Sequence, residues 1–145
     1  FKPPSNGRNA DIWTSYVIEK LTAQMGDVVA YGQPLVRQIR NYHDLRKDLS
    51  NEDMHNRTTD LFVSILREVP LTEKSYIGAL NEIINGCLEK VNSLDPSLVS
   101  HEERGYRHHQ FPSEKERQET QHAQLEMIRN YFLEYQTWSQ FILSV

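Results

Sequence analysis

Hydrophobic residues recur at intervals of three and four along most of the chain, which is the spacing of α-helices that bury one face. The first stripe lies between Asn9, a residue type that caps helix starts, and Gly26, a residue type that ends helices. It comprises Ile12, Trp13, Tyr16, Val17, Leu21 and Met25. After a break near Gly32, Pro34 suits the first turn of a second helix. Its apolar face would be Leu35, Val36, Ile39 and Tyr42.

The middle of the chain predicts four more short helices. Residues 45–53 form a polar one in which Ser50 is a capping candidate, and Thr58, Thr59 or Asp60 caps the next, which stops at Pro70. Thr72 starts a helix that Asn85-Gly86 ends. A last small helix carries Cys87, Leu88 and Val91.

The remainder of the chain predicts a linker and one long helix. Residues 96–112 contain two prolines, a glycine and many polar residues. Ser113 and Glu116 then match a capping box, and neither Gly nor Pro follows through residue 145. The second half of this helix is too apolar to face solvent, so it packs on the preceding bundle, on a partner, or in a dimer.

Together these patterns predict an all-α fold without strands. We expect a disordered leader over residues 1–8, a compact bundle of about six helices over residues 9–95, a linker or loop, and the long helix over residues 113–145. A chain of 145 residues fits one domain with an appendage.

Charge and cysteine usage restrict the partner and the compartment. The 16 basic and 20 acidic residues give a net charge of −4, which argues against nucleic acid and anionic membranes as partners. A lone cysteine, Cys87, cannot form an internal disulfide and favours a reducing, cytoplasmic location. No apolar run is long enough to span a bilayer.

The motifs of catalysis and cofactor binding are weak. The histidines His101, His108 and His109 lack the spacing of a zinc site, and no glycine-rich phosphate loop is present, so we expect no metal and no cofactor. Cys87 lies on an apolar stripe, where a buried small side chain is the more common role. A small all-helical enzyme using His43, His55 or Cys87 is the remaining catalytic alternative.

Two patches of opposite charge are the stronger signal. Arg37, Arg40, Arg46 and Lys47 form a basic group, and Glu52, Asp53 and Asp60 form an acidic one. Opposite patches on one small bundle can support head-to-tail self-association, because such contacts repeat rather than close.

The order of elements is similar to that of a known family. The segment from Leu45 to Asp53, followed by Asp60-Leu61-Phe62 and by residues 76–82, resembles the caspase-recruitment domains of the death fold. Within that family it is most similar to the amino-terminal domains of RIG-I-like and Dicer-related helicases. The resemblance covers about residues 10–95.

The resemblance implies a non-catalytic module that recruits signalling or RNA-processing proteins through charged helix faces. The candidate contacts are Arg40, Arg46, Lys47, Glu52 and Asp53. The alternative interaction module is a homodimer, with an interface made by Tyr131, Tyr135 and Trp138 of the long helix.

Overall fold

The computed structural model describes residues 10–30, 32–35, 37, 39, 44–99 and 113–143, and within these ranges the chain is helical without strands. The elements are α1 (Ala10–Met25), α2 (Leu45–Glu68), α3 (Tyr76–Ser93) and α4 (Glu114–Leu143), with one 3₁₀ turn at Pro96–Leu98. The all-α class is therefore confirmed. The predicted leader and most of the predicted linker lie outside the described residues.

The predicted count of about six short helices is wrong, because two pairs of them are continuous. The predicted break before Thr58 does not occur, and α2 runs through it. The hydroxyls of Thr58 and Thr59 donate to the carbonyls of Met54 and His55 in the preceding turn, each at 2.7 Å. These threonines thus bond within the helix instead of capping its start.

The predicted stop at Asn85-Gly86 is also wrong, because α3 continues through it to Ser93. A Cβ atom added at Gly86 would lie 2.7 Å from Cγ1 of Val69, the residue that ends α2. Glycine at this position therefore serves the close approach of α3 to the end of α2. Gly26, by contrast, has a φ of 77° and does end α1, as its position predicts.

The predicted helix after Pro34 is not formed by the residues that the structure describes. Leu35 and Ile39, which would form its apolar face, are 96% and 85% exposed, and neither is helical. Most helical stability in proteins comes from packing of an apolar face, and this face has no described neighbour to cover it. Val36 and Tyr42 lie outside the described residues.

The long helix begins as predicted. The backbone amide and the hydroxyl of Ser113 both donate to Glu116, and the amide of Glu116 donates back to the hydroxyl of Ser113 at 3.3 Å. This reciprocal capping box holds the pKa of Glu116 below its ordinary value, because the hydrogen bonds favour the charged carboxylate. Among the three packing arrangements left open by the sequence, the structure has α4 lying on the chain's own helices.

Among the described helices, α1, α2 and α4 run parallel and α3 runs antiparallel to them. The indole of Trp13 donates to Thr59 at 3.0 Å, and seven residues later Lys20 donates to the carbonyl of Leu66 at 2.7 Å, so α1 and α2 run in the same direction. The side chain of Gln124 donates to the carbonyl of Arg57, and further along both helices Phe132 stacks on Phe62, so α4 is parallel to α2 as well. The end of α1 contacts the start of α3, which runs antiparallel.

Aromatic rings interlock the three parallel helices. Trp13 of α1 stacks on Phe62 of α2, with ring centroids 4.3 Å apart, and Phe62 stacks on Phe132 of α4 at 5.6 Å. Tyr131 stands edge-on to Trp13 and Phe62, both at 5.3 Å. All four rings are fully buried. Since aromatic side chains bury more area than any others, α4 supplies much of the core on which the bundle depends.

Candidate protein-interaction surface

Among the described residues, the first nine residues of α2, Leu45–Asp53, extend past the start of α1. The first α2 residue whose side chain is buried, among those described, is His55, which lies edge-on to Trp13 near the start of α1. α1 begins at Ala10, three residues before Trp13, so its described part runs beside little of α2 that precedes His55. We call this segment the projecting end of α2.

The projecting end brings four of the five predicted contact residues together. Arg46, Lys47 and Asp53 are exposed and Glu52 is half-buried, so their charges lie on one short length of helix. The carboxylate of Asp53 pairs with Arg57 at 2.8 Å. Arg40 lies outside the described residues.

Asp44 fixes where the projecting end begins. Its carboxylate accepts hydrogen bonds from the backbone amides of Arg46 at 3.1 Å and Lys47 at 3.3 Å, which have no partner inside the helix. The negative charge also opposes the positive end of the helix dipole. The cap therefore holds this segment helical although it contributes little to the core.

The projecting end also carries two exposed leucines. Leu45 is 79% exposed and Leu49 is 67% exposed, and a spacing of four residues places them on the same side of α2. Sequence reasoning identified the charges here but not these leucines as surface residues. Their position in a segment that is too polar to be buried could have indicated that they are exposed.

The aromatic residues predicted as a dimer interface lie elsewhere. Tyr131 and Tyr135 are buried, and their hydroxyls lie 3.2 Å and 2.7 Å from the hydroxyl of Thr14 on α1. Burial raises the pKa of Tyr131 above its ordinary value. Trp138 is half-buried and stands edge-on to Tyr135 at 6.5 Å. The two tyrosines are thus occupied within their own chain, and a partner could reach them only by displacing α1.

The candidate nucleophile Cys87 is fully buried, in agreement with its apolar position. Desolvation raises the pKa of its thiol to about 12, although Lys20 and Lys90 partly oppose this shift. The thiolate is the reactive form, so this cysteine is unreactive at neutral pH. His55 is buried against Trp13, and His43 lies outside the described residues.

The described ranges contain neither a cluster of metal ligands nor a helix that could span a membrane. There, no three histidine, cysteine or carboxylate side chains converge in a way that could hold a metal ion, and the histidine group at residues 101–109 lies outside. No helix among the described residues combines the length and the apolar character needed to cross a bilayer.

A shallow groove lies between α1 and α2, with a volume of about 520 Å³. It is lined by Tyr16, Thr59, Asp60, Val63, Ser64, Arg67 and Glu68. Two of these groups have partners already, because Thr59 accepts from Trp13 and Glu68 pairs with Lys90 at 2.8 Å. We call this feature the α1/α2 groove.

No known protein family matches this chain, and neither a curated protein nor a solved structure matches it. The class that the described residues define is an α-helical bundle with a charged helix end that extends from it. What this protein does must therefore be argued from its surface.

Proposed function

We propose that the chain is a non-catalytic protein-interaction module that binds its partner through the projecting end of α2. The observation that carries the proposal is the exposure of Leu45 and Leu49 beside Arg46 and Lys47 on a capped helix. Apolar side chains give an interface its affinity once water is excluded, and the charges around them select the partner.

The state of the candidate catalytic residues supports the same proposal. Burial favours the unreactive protonated form of Cys87, because it raises the pKa of the thiol. The α1/α2 groove is shallow and open to solvent, in contrast to the concave sites that hold small substrates.

The resemblance of residues 10–95 to caspase-recruitment domains supplies a class of partner for the proposal. Such domains recruit signalling or RNA-processing proteins in the cytoplasm by contacts between charged helix faces. The proposal rests on the exposed surface, and the resemblance indicates which kinds of protein to test as partners.

The test is affinity capture with paired variants. We expect the immobilised wild-type chain to retain a set of proteins from an extract of its source cells. Both Leu45→Asp/Leu49→Asp and Arg46→Glu/Lys47→Glu should lose the same members of that set. Quantitative mass spectrometry measures the captured proteins, and a purified partner then gives a Kd.

The controls match the chemistry of each change at distant exposed sites. Leu133→Asp on α4 introduces a charge at a leucine that is 42% exposed, and Lys74→Glu reverses the charge of an exposed lysine. Circular dichroism checks that each variant stays helical. Capture that is equal for the test and control variants would show that the projecting end is not the binding surface.

A further inference from the structure

Four charged residues follow one another at intervals of seven along α2: Arg46, Asp53, Asp60 and Arg67. Seven residues make nearly two whole turns of helix, so the four side chains follow one side of α2 at steps of about 10.5 Å. Their signs are plus, minus, minus, plus. The order of charges in Asp60 and Arg67 is therefore the reverse of the order in Arg46 and Asp53.

The first pair belongs to the projecting end, where Arg46 and Asp53 flank the exposed Leu49. The second pair belongs to the α1/α2 groove, where Asp60 and Arg67 flank Val63. The two sets have the same spacing, because Leu49 lies three residues after Arg46 and Val63 lies three residues after Asp60. A shift of fourteen residues therefore places each charge of the projecting end opposite its complement in the groove.

The groups in the groove are available for such a contact. Asp60 and Arg67 are exposed, and their side chains form no hydrogen bond or ion pair with any residue in the part of the chain that the structure describes. Tyr16 and Val63 are half-buried and supply the apolar floor between them. The groove thus offers an apolar strip with one charge of each sign at its ends.

We propose that the α1/α2 groove of one copy binds the projecting end of α2 from a second copy. Arg46 faces Asp60, Asp53 faces Arg67, and Leu49 packs on Val63 and Tyr16. This inference rests on the proposed function and names the partner as another copy of this chain. Because the two surfaces are different parts of the molecule, each copy has one of each, and the contact can repeat from copy to copy beyond a dimer.

Sedimentation velocity tests this contact over a concentration series from about 10 μM to about 500 μM, a range suited to a small charged interface. At about 50 mM salt the mean sedimentation coefficient of the wild-type chain should rise steadily with concentration, and at about 500 mM salt it should rise less. Arg46→Asp and Asp60→Arg should each weaken association about tenfold or more, because like charges then face each other.

The double variant Arg46→Asp/Asp60→Arg is the decisive measurement. It exchanges the two charges, so Asp at position 46 again faces Arg at position 60, and association should return. Lys74→Asp is the matched control, since it makes the same change of net charge as Arg46→Asp at an exposed site outside both surfaces. It should associate as the wild-type chain does.

A mixture of the two single variants tests the pairing of the two surfaces. In an equal mixture, Arg46 of the Asp60→Arg variant meets the intact Asp60 of the other variant, and Asp at position 46 of the Arg46→Asp variant meets Arg at position 60. Both contacts are complementary, so the mixture should associate about as the wild-type chain does, while each variant alone associates about tenfold more weakly.

A wild-type chain that stays monomeric throughout would overturn the inference. So would a dimer that neither reversal affects, because it would place self-association on another surface. If the wild-type chain stays monomeric while Arg46→Glu/Lys47→Glu still loses partners from extract, the proposed function stands and the identification of the partner fails.

Discussion

The two halves of α2 are continuous in backbone but differ in what holds them helical. From His55 to Glu68 the helix contributes Phe62, Ile65 and Leu66 to a core shared by all four helices. From Leu45 to Asp53 it exposes its leucines, and a single aspartate caps its start. The comparison teaches that one helix can be structural at one end and available for binding at the other.

The end of the structural half is itself anchored by α1. The ammonium group of Lys20 donates to the carbonyls of Leu66 at 2.7 Å, Arg67 at 3.3 Å and Val69 at 2.6 Å. Carbonyls at the end of a helix lack the usual acceptor bonds within the helix, and that of Leu66 otherwise accepts from the amide of Val69 at 3.4 Å. Desolvation lowers the pKa of Lys20, so part of the benefit of these bonds is offset by the burial of the charge.

The largest effect should come from truncating a ring in the structural half. Phe62→Ala removes a fully buried ring that stacks on both Trp13 and Phe132, and it should lower the free energy of unfolding by about 3–5 kcal/mol. Leu49→Ala on the projecting end should change it by less than about 0.5 kcal/mol. Urea unfolding followed by circular dichroism measures both. Similar losses in the two variants would contradict the division of α2.

The contact between Gly86 and Val69 should give the next largest effect. Gly86→Ala should destabilise the chain by about 1–3 kcal/mol, because the new methyl group would overlap Val69. In a Val69→Ala background the same change should cost less or even stabilise, since alanine favours helix over glycine by about 1 kcal/mol. A double-mutant cycle by urea unfolding measures the coupling. Equal effects in the two backgrounds would show that close packing does not explain the continuous α3.

The burial of Cys87 should make stability fall in alkali. Its pKa of about 12 in the folded chain exceeds its ordinary value of 9.0, so above pH 9 the unfolded chain releases a proton that the folded chain retains. The stabilisation is complete below pH 9 and is lost as the pH rises towards 12. Between pH 8 and pH 10 the wild-type chain should therefore lose about 1 kcal/mol more than Cys87→Ala. Parallel curves for the two proteins would mean that the thiol titrates normally in the fold.

The end of α1 and the start of α4 were predictable from sequence because local chemistry decides them. A glycine with positive φ ends α1, and a capping box of Ser113 and Glu116 starts α4. The continuity of α2 and α3 was not predictable, because Thr58 and Asn85-Gly86 have the local character of helix boundaries. Packing against neighbouring elements overrides that character.

The candidate site was predictable in part for a related reason. The charges of Arg46, Lys47, Glu52 and Asp53 stand in the sequence, and charged residues are seldom buried. The exposure of Leu45 and Leu49 depends on the level at which α1 meets α2, which is a tertiary fact. The complementarity of the projecting end and the α1/α2 groove depends on α2 being one continuous helix.

The smallest effect on overall stability should come from removing the cap of the projecting end. Asp44→Ala deprives the amides of Arg46 and Lys47 of their acceptor, a loss of about 1 kcal/mol for the helix start. Because the projecting end contributes little to the core, we expect this loss to appear as local fraying rather than as global unfolding. Hydrogen exchange should speed up about fivefold over residues 46–52 and stay unchanged at residues 62–66. Asp44→Asn keeps an acceptor for the amides and should retain most of the protection. Faster exchange at residues 62–66 as well would mean that the two halves of α2 unfold as one unit, and a binding end could not then be altered without cost to the core.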